Sequence, residues 1–291
     1  MNLDFSKLRE LRAAHPEKLA EIYSKRDRRE VIKGDGRLFI IAADHPARNA
    51  VAVRNNPRAM ENRYELLTRL ATALSRPGVD GVLGTPDIID DLALLGCLEG
   101  KVVVGSLNRG GLRGSSFEMD DRITGYDING IVRDKLDFAK MLNRVNLKDA
   151  GTSNMLEISH KAVNDAAAAR IPIMLEPFMS EWVDGKIKND LSTDAVIDSI
   201  GIASALGNSS AYTWMKLPVV ENMARVMEST TLPTLLLGGD PVGDQNETYA
   251  SWEKALELPG VRGLVIGRSL LYPQDGNVGA AIDTAVKLVH G

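Results

Sequence analysis

Four residues combine types and surroundings suited to carbonyl chemistry: Lys216, Glu176, Lys148 and Asp44. Lys216 interrupts the apolar run YTWMKLP near its end. An ammonium group taken out of water there is costly unless it is paired. A lysine in such a place gives up its proton more readily, and the free amine can attack a carbonyl to form a Schiff base. The alternative is a structural lysine that snorkels or sits in an ion pair. Glu176 ends the run IPIMLE, and Pro177 after it lacks an amide donor and is expected to close the strand. A carboxyl group beside an imine-forming lysine is suited to moving protons; otherwise it only holds the lysine in place. Lys148 ends the run RVNLKD. A second ammonium near the first would lower its pKa by like-charge repulsion, or could bind a phosphate. Asp44 follows FIIAA and can pair with a lysine or bind a substrate hydroxyl. His45 is one position along, points the other way, and reads as a packing or loop residue. Arg48 is placed to reach an anionic group or to stay on the surface.

Two glycine pairs suggest where an anion would sit. One run ends LLLGGDPVGD and another ends LVIGRSLL. Glycine lets backbone approach a ligand closely, and amides at a helix start attract anions. Gly238, Gly239, Gly267 and Arg268 are therefore the candidate phosphate-binding residues. The stretch NRGGLRG is also glycine-rich and basic but lacks a phosphate-loop lysine. Residues 107–127 read as a long loop, a candidate lid.

The elements that must position these residues repeat along the chain. From residue 37 there are eight short apolar runs: 37–43, 79–84, 101–106, 144–149, 171–176, 212–218, 232–238 and 262–267. Helical patterns lie between and after them, at 57–75, 87–99, 129–142, 155–169, 192–206, 219–229, 246–257 and 276–289. Runs recurring about every 32 residues match βα units. Near-continuous apolar character suits parallel strands covered by helices. The expected fold is α/β, a (β/α)8 TIM barrel over residues 37–291, with an open doubly wound sheet as the rival. Residues 1–36 are expected to be a helical extension broken at His15-Pro16. Its KRDRRE cluster, with mixed signs, reads as a solvated helix face. In a barrel, catalytic residues stand at the C-terminal ends of the strands, where three of the four candidates end their runs and Asp44 follows one.

Composition narrows the function classes. The chain has 291 residues, 35 basic and 39 acidic, for a net charge of -4. A nucleic-acid binder is usually basic, so that class is disfavoured. No apolar run is long enough for a membrane span, and the N-terminus has no signal-peptide core. One cysteine and four scattered histidines leave no metal-ligand spacing. A soluble cytoplasmic protein with neither metal nor organic cofactor is expected.

The motifs resemble those of class I aldolases of the deoxyribose-phosphate aldolase superfamily. They are most similar to the branch with archaeal-type fructose-bisphosphate aldolases and tagatose-bisphosphate aldolases. DHPAR resembles that branch's first-strand motif at Asp44, and WMKLP its Schiff-base motif at Lys216. LLGGDP and LVIGRSLL resemble its two phosphate turns. Glu176 stands where the archaeal type has a tyrosine, as in the tagatose type, and Lys148 resembles that type's fourth-strand lysine. The chain is similar, too, to an actinobacterial aldolase group whose genes accompany inositol breakdown, which implies 2-deoxy-5-keto-gluconate 6-phosphate as substrate. The resemblance implies a lyase that cleaves a phosphorylated keto sugar or keto sugar acid and retains dihydroxyacetone phosphate. It also implies a homo-oligomer with a small-molecule partner. Two other readings fit the same residues: a phosphate-binding barrel isomerase or synthase in which Lys216 acts by charge alone, and a non-catalytic sugar-phosphate sensor. Failure to trap an imine would favour the first, and binding without turnover the second.

Overall fold

Strands that are apolar on both faces must be covered twice, and a closed barrel inside a ring of helices does this. The computed structural model of the protein describes residues 3–239 and 243–291. The strands are β1 (Leu38–Ala42), β2 (Gly81–Gly84), β3 (Val102–Ser106), β4 (Phe138–Val145), β5 (Ile173–Val183), β6 (Lys186–Asn189), β7 (Thr213–Pro218), β8 (Thr234–Leu237) and β9 (Val261–Ile266). All but β6 pair in parallel in the order β4-β3-β2-β1-β9-β8-β7-β5, and β4 also pairs with β5. That last pairing closes an eight-stranded parallel barrel and excludes the open sheet.

The helices are α1 (Phe5–Ala14), α2 (Lys18–Lys25), α3 (Arg63–Leu74), α4 (Pro86–Leu94), α5 (Ile128–Arg133), α6 (Gly151–Ala169), α7 (Thr193–Ser204), α8 (Met223–Glu228), α9 (Gln245–Leu256), α10 (Arg268–Leu271) and α11 (Val278–His290). Side-chain caps set several of their starts. Asn62 accepts from the Glu65 amide, so α3 begins later than the apolar pattern suggests. Ser192 and Asn277 cap α7 and α11 in the same way.

The alternation of each strand sorts its residues into two layers. Phe39, Ile41, Val82, Val103 and Ile173 face the helices. Leu38, Ile40, Leu83, Val104, Phe138, Met174, Leu235 and Val265 fill the barrel. The Phe138 and Trp214 rings meet edge to face there, with centroids 5.5 Å apart.

Three expectations are corrected. The fourth strand is β4, Phe138–Val145, not 144–149, and the helix expected over 129–142 stops at Arg133. Asp134 and the positive-φ Lys135 end α5 and leave the apolar FAKML free to extend. Pro177 does not close the fifth strand. β5 runs on to Val183 and turns back through β6 as an antiparallel hairpin. Nor is KRDRRE a solvated helix face, because α2 ends at Lys25 and the following chain crosses the bottom of the barrel. There the buried Arg26 pairs with Asp137 at 2.9 Å, Arg28 with the same carboxylate at 2.8 Å, and Arg29 with Asp80. Val31 and Ile32 pack beneath the interior cluster.

Candidate active site

The strand period places Lys140, Glu176 and Lys216 in the interior, two residues above Phe138, Met174 and Trp214 respectively. Asp44 follows β1 and joins them from the first loop. Lys216 Nζ donates to Glu176 Oε2 at 2.9 Å. Lys140 Nζ lies 2.8 Å from the same oxygen and donates to Asp44 Oδ2 at 2.8 Å. These four side chains are buried: Lys140 is 2% exposed, Lys216 5%, Glu176 7% and Asp44 9%. An apolar floor lies below, and Leu142, Phe178 and Leu237 form a small apolar cluster in the upper barrel.

Such surroundings treat the two lysines differently. Burial pushes the Lys216 amine down; Glu176 opposes this, Lys140 reinforces it, and the outcome is below the ordinary lysine value. Burial also acts on Lys140, but Asp44 and Glu176 outweigh it and raise its pKa. Burial would protonate Glu176, yet the charges of Lys140 and then Lys216 hold its carboxyl at about 2. Asp44 is likewise held well below the usual carboxylate range, against burial, chiefly by Lys140. The cluster therefore contains two carboxylates, a fixed ammonium and one lysine that gives up its proton more easily. His45 is pushed well down by burial and stays neutral.

Three of the four catalytic candidates, Lys216, Glu176 and Asp44, meet in this cluster. Lys148 does not. It lies exposed in the turn after β4, where its amide bonds Asn146. Lys140 occupies the place that Lys148 was expected to fill. A signal for it existed in the sequence: FAKML and WMKLP are both apolar runs interrupted by one lysine.

The glycine loops lie after β8 and β9. A Cβ on Gly267 would fall 2.5 Å from the Ala42 carbonyl oxygen and 2.7 Å from His45 Cε1, so only glycine fits. Gly239 has φ +65°, the left-handed region that favours glycine. The buried Ser269 hydroxyl has no hydrogen-bond partner among the described residues and lies 3.3 Å from where a Gly238 Cβ would stand. A buried hydroxyl of this kind can serve a ligand. Burial, then the nearby guanidiniums of Arg48 and Arg113, lower Arg268 to about 10. The helix after Gly267 is a single turn, so its dipole adds little to anion binding. Residues 240–242 of this loop lie outside the described residues.

Among the described residues, no group of three or more His, Cys, Asp or Glu side chains could hold a metal, and no helix is long and apolar enough to cross a membrane.

The crystal structure of Cgl0159 from Corynebacterium glutamicum is 67% identical, covers 98% of this chain and 96% of its own, and has a TM-score of 0.96. Two aldolase structures share the fold at lower identity. A Schiff base-forming fructose-1,6-bisphosphate aldolase is 17% identical, covering 94% of this chain and 100% of its own, with a TM-score of 0.64. An archaeal fructose-1,6-bisphosphate aldolase, with its catalytic lysine bound to the carbinolamine intermediate, is 18% identical over 94% and 100%, with a TM-score of 0.66. No functionally curated protein matches the sequence. Residues 36–286 match the Cgl0159-like family, and the chain belongs to that family.

Proposed function

We propose that the protein is a class I aldolase that reversibly cleaves a phosphorylated keto sugar or keto sugar acid through a Schiff base on Lys216. The observation that carries this reading is the buried Lys216–Glu176–Lys140–Asp44 cluster, in which Lys216 alone is held below the ordinary lysine value. The neutral amine of Lys216 attacks the substrate ketone. Glu176, 2.9 Å from that nitrogen, takes the proton that nitrogen loses and passes it to the carbinolamine oxygen, and a second proton taken up from solvent through the same carboxyl lets that oxygen depart as water. The resulting iminium carries positive charge between two carboxylates, which stabilise it. The Glu176 carboxylate then takes the proton of the β-hydroxyl, the carbon–carbon bond breaks, and its electron pair moves into the iminium to give an enamine and a free aldehyde. Protonation of the enamine and addition of water release the ketone fragment and restore the amine.

The iminium supplies the electron sink, so the scheme needs neither metal nor organic cofactor. Lys140 keeps Glu176 and Asp44 ionised and leaves Asp44 placed to hold a substrate hydroxyl. Backbone at 238–239 and 267–268, with Arg268 and the Ser269 hydroxyl, would hold the phosphate. Remote binding of that kind fixes the ketone against the amine.

Borohydride trapping tests the reading. With dihydroxyacetone phosphate present, reduction should add the fragment's mass to the peptide carrying Lys216 and abolish turnover. A label on Lys140 would reassign the nucleophile. An absence of label across a panel of phosphorylated ketoses and keto sugar acids would overturn the Schiff base.

A further inference from the structure

We infer that the cavity under the 107–127 loop is a subsite for the aldehyde half of the substrate, and that Arg109 selects a short chain ending in an oxyanion, carboxylate or phosphate. The inference rests on the lyase reading above. The cavity has a volume of about 380 Å³. It lies at the C-terminal ends of β1, β2 and β3, between Pro46, Thr85, Ser106 and the loop residues Asn108, Arg109 and Thr124. In the ring of strands β1 pairs with β9 and β2 stands opposite β7, so the cavity is beside the glycine loops and across the barrel mouth from the strand of Lys216. Ser106 is the register partner of Lys140, so the cavity adjoins the charged cluster. A substrate whose phosphate lies at β8–β9 and whose ketone meets Lys216 would extend its remaining carbons this way.

Several polar side chains of the cavity are held by bonds within the protein. Asn108 donates to the Leu142 carbonyl at 2.7 Å and accepts from the Leu142 amide at 2.9 Å, which fastens the root of the loop to β4. Ser106 donates to the Asn108 carbonyl at 3.0 Å, and the Thr85 hydroxyl to Asp87 at 2.6 Å. Arg63 on the outer wall pairs with Asp87 and Asp91. Arg109 differs from all of these. Its Nη1 donates to the Ala47 carbonyl, and no carboxylate pairs with it among the described residues. A guanidinium has five N–H donors in a planar fork, so most of its capacity and its whole charge remain for a ligand. A small cavity of mixed polar and apolar lining, with one guanidinium that no carboxylate pairs among the described residues, fits a short oxygenated chain with a terminal anion.

The test runs the reaction in the condensation direction, with dihydroxyacetone phosphate as donor. Glyceraldehyde 3-phosphate, succinic semialdehyde and uncharged glyceraldehyde are compared as acceptors. The wild-type protein should favour one or both charged acceptors by about tenfold or more in kcat/KM, the scale expected when a site is built to bond a polar group. The phosphate and carboxylate arms identify which anion is meant. Arg109→Met should bring the three acceptors to within about twofold, and Arg109→Lys should restore part of the preference. Borohydride labelling of Lys216 by dihydroxyacetone phosphate alone should be unchanged in both variants. A preference that survives in Arg109→Met, or a wild-type preference for glyceraldehyde, would overturn the inference. Absence of label on Lys216 in the wild type would instead defeat the lyase reading. Crystals soaked in malonate or glycerol 3-phosphate then decide the cavity separately. An anion against Arg109 that is lost in Arg109→Met supports the subsite, and an empty cavity overturns it.

Discussion

At the bottom of the barrel Asp80 and Asp137 face arginines and a histidine; at the mouth Asp44 and Glu176 face lysines. Both pairs of carboxylates are buried, and both would be costly without partners. The bottom carboxylates also accept backbone bonds, Asp80 from the Phe39 amide at 2.8 Å and Asp137 from the Val103 amide at 2.9 Å. Arginine stays protonated in such a place and its fork fixes direction. Arg26 adds bonds to the carbonyls of Lys101 and Lys135, which ties the N-terminal segment across the barrel floor. The mouth uses lysine, whose proton is easier to lose, and makes two of them share one carboxylate oxygen. A buried ion pair therefore does not mark a reactive site by itself. The partner's acidity and the presence of backbone anchors distinguish a lock from a reactive group.

The sharpest way to break this contrast is to remove one cation at each end. Lys216→Met keeps the side chain's volume and removes the nucleophile. Turnover should fall by about 10⁴ or more, equivalent to over ~5 kcal/mol of transition-state stabilisation, while the melting temperature stays level or rises. Arg26→Met should do the reverse. Breaking a buried pair from one side typically costs about 3–5 kcal/mol, and the lower end is expected here because Arg28 and the Val103 amide still satisfy Asp137. Thermal or urea unfolding should show that loss, with kcat per folded molecule within about twofold of wild type. A normal melting curve for Arg26→Met, or an active Lys216→Met, would erase the distinction between the two ends.

The barrel was legible because its signal is local: apolar runs, period-two alternation and near-even spacing are all written in short windows. Lys216, Glu176 and Asp44 were legible for the same reason, as charges at the ends of such runs. Lys140 was not, because the charged stretch before FAKML looks helical and pushes the expected strand on to 144–149, past the true β4 start at Phe138. Lys148 was then the lysine at the end of the misplaced run. The Arg26–Asp137 and Arg29–Asp80 pairs could not be read at all, since their partners lie far away along the chain and only the closed barrel brings them together. Once β4 is registered against β3 and β5, Lys140 faces the interior by parity alone.

A smaller effect separates the two lysines at the mouth. Lys140 lowers the Lys216 pKa by repulsion and also shares the negative charge of Glu176. Lys140→Met removes both influences, and each change raises the Lys216 pKa. The pH at which borohydride labelling reaches half its maximum should move upward. At neutral pH turnover should drop by roughly 10²-fold, the low end for loss of a group that sets protonation. A labelling profile that stays in place would mean burial alone tunes Lys216, with Lys140 serving only to neutralise charge.

The smallest expected effect tests the bottom lock through pH. His290 ends α11, with Nδ1 2.7 Å from Asp35 and Nε2 3.2 Å from Asp80. The bond to Asp80 raises its pKa most, burial opposes, Asp35 adds, and the value is pushed up to about 9 from an ordinary 6.5. A group raised on folding contributes stability that is fully present below its unfolded pKa and is lost as pH rises through the folded one. Asp80 and Asp35 are shifted the opposite way, below 3.8, so their share is lost as pH falls through their lowered values. The lock should accordingly be strongest between about pH 4 and 6.5. His290→Gln should lower the melting temperature by a few degrees at pH 5.5, and the gap should narrow steadily from pH 7 and close near pH 10. Turnover at pH 7 should not change, because the mouth lies at the other end of the strands. A gap that is the same at pH 5.5 and pH 10 would show that His290 acts by packing, and that only the arginines distinguish the bottom of the barrel from the top.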